Sequence, residues 1–168
     1  MPSTYSLIKG ETLASAAASY TFSAIPSTYT DLVLRMSVRI TAAANFDVAL
    51  LRFNGSSSSY SGTWVAGNGS AASSGSLTAG TYQYSFSVNA ANATADTFSN
   101  QEIYIPNYTV SQNKASGSFG ASENNATSAQ IGAIASLWSD TSAITSIGIF
   151  STNLVAGSSF YLYGIKNS

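Results

Sequence analysis

From Asp31 to Thr41 the chain reads D-L-V-L-R-M-S-V-R-I-T. Leu32, Leu34, Met36, Val38 and Ile40 fall on one side of an extended backbone, and Val33, Arg35, Ser37 and Arg39 on the other. Side chains alternate faces along a strand, so this period of two predicts a half-buried antiparallel strand. A helix would scatter the same apolar residues around its circumference. Tyr82 to Val88 repeats the pattern, with Tyr82, Tyr84, Phe86 and Val88 expected inward and Gln83, Ser85 and Ser87 outward. In Ser158 to Lys166, Phe160, Leu162, Gly164 and Lys166 alternate with Tyr161, Tyr163 and Ile165, so both faces carry material to be covered.

Further strands are expected at Asn45 to Phe53, Glu102 to Ile105, Lys114 to Ser122, Ile131 to Trp138 and Ile144 to Phe150, with shorter ones at Tyr20 to Ser23 and Thr63 to Ala66. Turn-rich joins between them predict an all-β, antiparallel β-sandwich or barrel in a single domain, residues 1–168. Asn54-Gly55 and Asn68-Gly69 supply residues that accept the positive φ of tight turns. Pro26 and Pro106 each follow an isoleucine and are expected to end strands, because proline cannot donate to a ladder. The Ser/Gly-rich stretch from Ser56 to Gly80 is expected to be a long surface loop around Trp64. Alanine content makes Thr12 to Ala18 and Thr127 to Ala135 the best helical candidates, for one or two turns at most. Met1 to Glu11 is expected to serve as an N-terminal arm.

Composition narrows the chemistry. Of 168 residues only 13 are charged, or 8%, while serine supplies 32 and alanine 25. There is no histidine and no cysteine, which removes the Ser-His-Asp triad, the thiolate nucleophile, the disulfide framework and the usual zinc site. A net charge of −1 provides no field to steer nucleic acid, so no nucleic-acid partner is expected. The charge-free run from Phe53 to Ala95 is too rich in Ser, Gly, Asn and Thr for a membrane span, and no signal-peptide apolar run opens the chain. The seven acids, Glu11, Asp31, Asp47, Asp96, Glu102, Glu123 and Asp140, form no catalytic or calcium-binding run. They are expected as caps or solvated surface. No G-x-S-x-G elbow and no phosphate loop is present. The expectation is a non-enzymatic protein with no catalytic residue, no metal and no cofactor.

Aromatic residues are the stronger functional candidates. Tyr60, Trp64, Tyr104, Tyr108 and Trp138 suit either a sugar-stacking platform or an interface anchor, against the plainer reading that they pack the core. Arg35 and Arg39 suit either a solvated face or a polar contact with an acid of another subunit.

Three stretches carry a family resemblance. They are Ser142 to Phe150 with Leu154 to Ser168 (ending A-G-S-S-F-Y-L-Y-G-I-K-N-S), Ser19 to Leu34, and Glu102 to Tyr108. Together they resemble small virion structural proteins of tailed phages, many from cyanobacterial hosts, in which such a segment closes a jelly-roll domain. The resemblance implies a capsid decoration (cement) protein, most often a homotrimer, on the capsid exterior with the major capsid protein as partner. The alternative it leaves open is a carbohydrate- or receptor-binding module of a head or tail fibre. No coiled-coil or β-helical stalk accompanies the domain in this chain, which favours decoration over fibre. The group carries no catalytic motif to transfer.

Overall fold

The computed structural model describes residues 4–123 and 128–166. It contains twelve strands: β1 (Tyr5–Thr12), β2 (Ala17–Phe22), β3 (Asp31–Val38), β4 (Phe46–Phe53), β5 (Tyr60–Gly67), β6 (Ala72–Gly80), β7 (Gln83–Asn89), β8 (Ser99–Ile105), β9 (Lys114–Glu123), β10 (Ala129–Trp138), β11 (Ile147–Leu154) and β12 (Ser159–Ile165). All pairings between them are antiparallel. They form an eight-stranded sheet, β1-β12-β3-β8-β9-β10-β5-β6, and a four-stranded sheet, β2-β11-β4-β7.

Setting aside β5, β6, β9 and β10 leaves β1-β12-β3-β8 in one sheet and β2-β11-β4-β7 in the other. Through these eight the chain crosses from one sheet to the other at every step but one, β4 to β7, which are neighbours in the small sheet; this is the jelly-roll topology. The remaining four strands are two hairpins, β5–β6 inserted between β4 and β7 and β9–β10 between β8 and β11. They continue the large sheet past β8.

The jelly-roll core is apolar. Leu32, Leu34, Met36, Val38 and Ile40 are all buried, as their spacing predicted, and meet Leu51, Phe53, Ile147, Ile149, Phe160 and Leu162 from the facing strands. Each fully buried side chain of this kind is worth roughly 1.5–3 kcal/mol relative to exposure.

Several expectations are corrected. No helix occurs among the described residues. Ala17–Phe22 pairs with β11 and Ala129–Trp138 pairs on both sides, with β9 and β5. β10 has a partner strand on both sides and β2 on one, and these ladder hydrogen bonds outweigh alanine's helical preference. Ser56 to Gly80 is not a loop but mostly the β5–β6 hairpin. Its turn is held by the Asn68 carboxamide oxygen, which accepts the backbone N–H of Ser70 (3.0 Å) and Ala71 (2.8 Å), with Gly69 at φ +87°. Of the arm expected at Met1 to Glu11, residues 5–11 lie in the edge strand β1, paired with β12; Met1 to Ser3 lie outside the described residues.

The expected inside and outside of β7 also changes. Its register to β4 steps from Val48↔Ser87 to Leu50↔Tyr84, so one extra residue bulges on β7. Gln83, Ser85 and Ser87, expected outward, are all buried, because β9 and β10 cover that strand.

Candidate functional site

The five aromatic candidates do not share a platform. Tyr60 and Trp138 pair across β5 and β10 and stack at 6.1 Å between ring centroids, with Phe53 against both. Both are about 1% exposed, and the Tyr60 hydroxyl accepts the Phe53 amide at 2.8 Å. Tyr108 is wholly buried and donates its hydroxyl to the Pro26 carbonyl. Burial pushes the phenols of Tyr60 and Tyr108 up from their ordinary value. These three rings are core, and only Tyr104 and Trp64 reach surfaces, on opposite faces of the large sheet.

Tyr104 stands on the outer face, 41% exposed, and donates to Asp31 Oδ2 at 2.7 Å. That hydrogen bond, with burial second, pushes its pKa up to about 12. Asp31 Oδ1 accepts the Asn107 amide at 2.8 Å, so this acid ties β3 to the turn after β8.

The outer face is the larger surface. Cross-strand register lays Tyr161, Arg35, Glu102, Phe119, Ala133 and Val65 in one line across six strands. A second line runs Leu7, Tyr163, Val33, Tyr104, Gly117, Ala135 and Thr63. Leu7, Val65, Phe119 and Ile131 are each more than half exposed there. An ion pair, Arg35 Nε to Glu102 Oε2 at 2.8 Å, lies in the middle of the face, so these two charges neutralise each other. Arg35 therefore meets an acid of its own chain rather than being simply solvated. Arg39 behaves differently. It is nearly buried and donates to the carbonyls of Thr94 (2.7 Å), Ala93 (2.9 Å), Thr97 (3.0 Å) and Ala91 (3.3 Å), clamping the β7–β8 connection.

The inner face of β9 is polar. Lys114, Ser116, Ser118 and Ser122 of β9 point inward and are buried. Ser116 donates to Gln83 Oε1 at 2.9 Å, while Gln101 Nε2 (2.7 Å) and Ser122 Oγ (2.6 Å) both donate to the Ser87 carbonyl. Lys114 Nζ donates to the carbonyls of Gln112, Val110 and Thr141. Burial pulls its pKa down, against the pull of Asp140.

Beyond this interior, between the β4–β7 edge and the β5–β6 hairpin, opens a cleft of about 400 Å³. Trp64, Tyr84, Phe86, Leu77, Asp47 and Gln130 line it. The indole lies over Gly75, where an added Cβ would come within 2.9 Å of the ring. Phe86 lies over Gly132, where a Cβ would stand 2.4 Å from the ring and from the Val65 carbonyl. Sequence reasoning singled out Trp64 but not Asp47, Phe86 or Gln130, which come from three separate strands. It also missed Leu7, Phe119, Ile131 and Val65. Their signal was present as apolar residues in phase with the outward Gly and Ala of β9 and β10.

No group of three or more acids able to hold a metal occurs among the described residues. Two acids act as the sequence suggested: Asp140 accepts the Ser142 amide at 2.7 Å and Asp47 the Val48 amide at 2.8 Å. Asp31 instead is buried, and Glu102 pairs with Arg35. No helix among the described residues is long and apolar enough to cross a membrane. Comparison with protein-family models, with curated proteins and with solved structures returns no match for this chain. What stands is the class: an all-β sandwich with jelly-roll strand order, carrying two inserted hairpins.

Proposed function

We propose that this chain is a non-enzymatic virion structural protein of a tailed phage, of the capsid decoration type. It assembles as a homotrimer on the capsid exterior and binds the shell of major capsid protein. The observation that carries this reading is the outer face of the eight-stranded sheet. Soluble monomers rarely expose a contiguous apolar surface of more than a few hundred Å². Here exposed Leu7, Tyr104, Tyr161, Phe119, Ile131 and Val65 share one broad face on which Arg35 and Glu102 pair with each other and Glu123 stands at the end of β9. Such a sparsely charged face meets other copies of the chain with little like-charge repulsion and at small desolvation cost. The jelly-roll order and the resemblance of the three sequence stretches support the same reading. A trimer that binds only the assembled shell stabilises it by mass action.

The test is a map of the intact particle with quantitation of this chain. Decoration predicts on the order of hundreds of copies per particle, following the shell's symmetry. A count of about a dozen, confined to a vertex or a tail, overturns decoration in favour of a fibre. In solution, Phe119→Lys on the outer face is expected to convert the trimer to monomers that melt as cooperatively as the parent.

A further inference from the structure

We propose that the cleft between the β4–β7 edge and the β5–β6 hairpin is a binding site for a neutral pyranose oligosaccharide, with Trp64 as its stacking platform. Nothing in the assembly role requires this cleft, since it opens on the side of the large sheet opposite the outer face. Its volume of about 400 Å³ lies within the range of small-molecule sites.

The platform is built rather than incidental. Gly75 sits directly across from Trp64 in the β5–β6 register. Any side chain at Gly75 would come within 2.9 Å of the indole, so glycine lets the ring lie flat against the hairpin. Trp64 is only partly buried, whereas Trp138 is about 1% exposed, so one indole serves the core and the other faces the cleft. A flat indole offers an apolar face to the C–H face of a sugar ring.

Polar groups stand where a sugar's hydroxyls need them. Asp47 and Gln130 border the same cleft, and a carboxylate and a carboxamide are the side chains that pair two neighbouring hydroxyls at once. A purely apolar occupant would cover these groups without pairing them, which costs more than an unmade contact. Asp47 is the only charged residue of the lining, so an anionic ligand is repelled and a cation finds a single carboxylate. Neutral polyol rings satisfy both the stacking face and the polar rim. Phe86, which also lines the cleft, is seated against Gly132.

The full chain is titrated with maltotriose, cellotriose, xylotriose and chitotriose, with trigalacturonate as the charged comparison, following tryptophan emission and calorimetry. At least one neutral trisaccharide is expected to saturate at a Kd between roughly 10 μM and 1 mM. Trp64→Ala is expected to weaken that binding about tenfold or more, and Asp47→Asn several-fold. Phe119→Ser, on the other face, leaves it unchanged. Emission from buried Trp138 reports that each variant remains folded, and Gly75→Ala, which displaces the indole without removing it, is expected to weaken binding as well. The proposal is overturned if no neutral trisaccharide saturates at millimolar concentration, if Trp64→Ala binds as the parent does, or if trigalacturonate binds more tightly than every neutral sugar. Those outcomes leave the assembly reading untouched, since it rests on the outer face.

Discussion

The two ends of the large sheet solve the same packing problem with different materials. At one end β1, β12, β3 and β8 face the small sheet across Leu34, Leu51, Phe53, Ile149, Phe160 and Leu162, an interior made of branched and aromatic side chains. At the other end β9 presents Ser116, Ser118 and Ser122 to Gln83, Ser85 and Ser87 of β7, and the two surfaces are joined by hydrogen bonds. The first interior gains from area removed from water and tolerates any close fit. The second gains little from area and depends on each polar atom finding a partner. It does so incompletely, because Gln83 Nε2, Gln101 Oε1 and Ser118 Oγ are buried with no hydrogen bond. The comparison teaches that the jelly roll supplies most of the apolar core, to which the hairpin extension adds Tyr60 and Trp138, while the extension supplies surface: the far half of the outer face and one wall of the cleft.

Substitutions separate the two ends. The largest effect is expected from Leu34→Ala in the apolar end, a loss of about 3–4 kcal/mol by urea denaturation, from lost transfer energy and an unfilled cavity. A loss under about 1 kcal/mol would mean that the apolar end does not dominate stability. Next comes Arg39→Leu, which leaves four carbonyls without their donor. It is expected to cost about 2–3 kcal/mol and to raise amide hydrogen exchange chiefly at residues 90–98. Within the extension, Gly132→Ala is expected to cost about 2 kcal/mol, since the new methyl meets both a ring and a carbonyl. Gly117→Ala, in the adjacent strand with nothing within 4 Å, is expected to be neutral or to stabilise by up to about 0.5 kcal/mol. Melting temperatures of the pair show whether the extension is close-packed only at the Phe86 contact.

Alkaline pH gives the smallest effect, and it has opposite signs at two sites. Tyr104 has a folded pKa raised to about 12 against an ordinary value of 10.0. The folded state holds that proton more tightly, so its contribution is complete below pH 10 and is lost as pH rises through about 12. Because Tyr104 is well exposed, the loss stays under about 1 kcal/mol. Lys114 has a folded pKa below its ordinary 10.5, so the unfolded state holds the proton more tightly and this site's burden eases as pH approaches 10.5. Urea melts of the parent, Tyr104→Phe and Lys114→Met between pH 8 and about 11.5 check both signs. Tyr104→Phe flattens the alkaline loss and Lys114→Met removes the opposing gain.

Legibility followed the chemistry of the two ends. The strand from Asp31 and the strand from Ser158 were readable because an apolar interior imposes alternation on the sequence. Apart from the short strand expected at Thr63 to Ala66, the hairpin from Tyr60 to Gly80 was read as a loop because β6 is built mostly of Gly, Ser and Ala, which carry no hydrophobic period. Ala129–Trp138 was read partly as helix for a similar reason: alanines on its outward face imitate helical composition. Among the candidate rings, Tyr60, Tyr108, Trp138, Trp64 and Tyr104 look alike in sequence. Burial separates them, and burial is set by strands distant along the chain.

By itself the sequence determined the all-β class, the apolar alternation of the jelly-roll strands, the turns at Asn54 and Asn68, and the absence of histidine and thiol chemistry. These are local properties, set by the period of side chains along an extended backbone and by residue type. The tertiary structure alone decided that two hairpins extend one sheet, that β9 and β10 bury the polar residues of β7, and that Arg35 meets Glu102. It also decided that Trp64, Asp47 and Gln130 share a cleft. Each of these depends on register between strands far apart in the chain, and register follows from the simultaneous burial of all twelve strands rather than from any one of them.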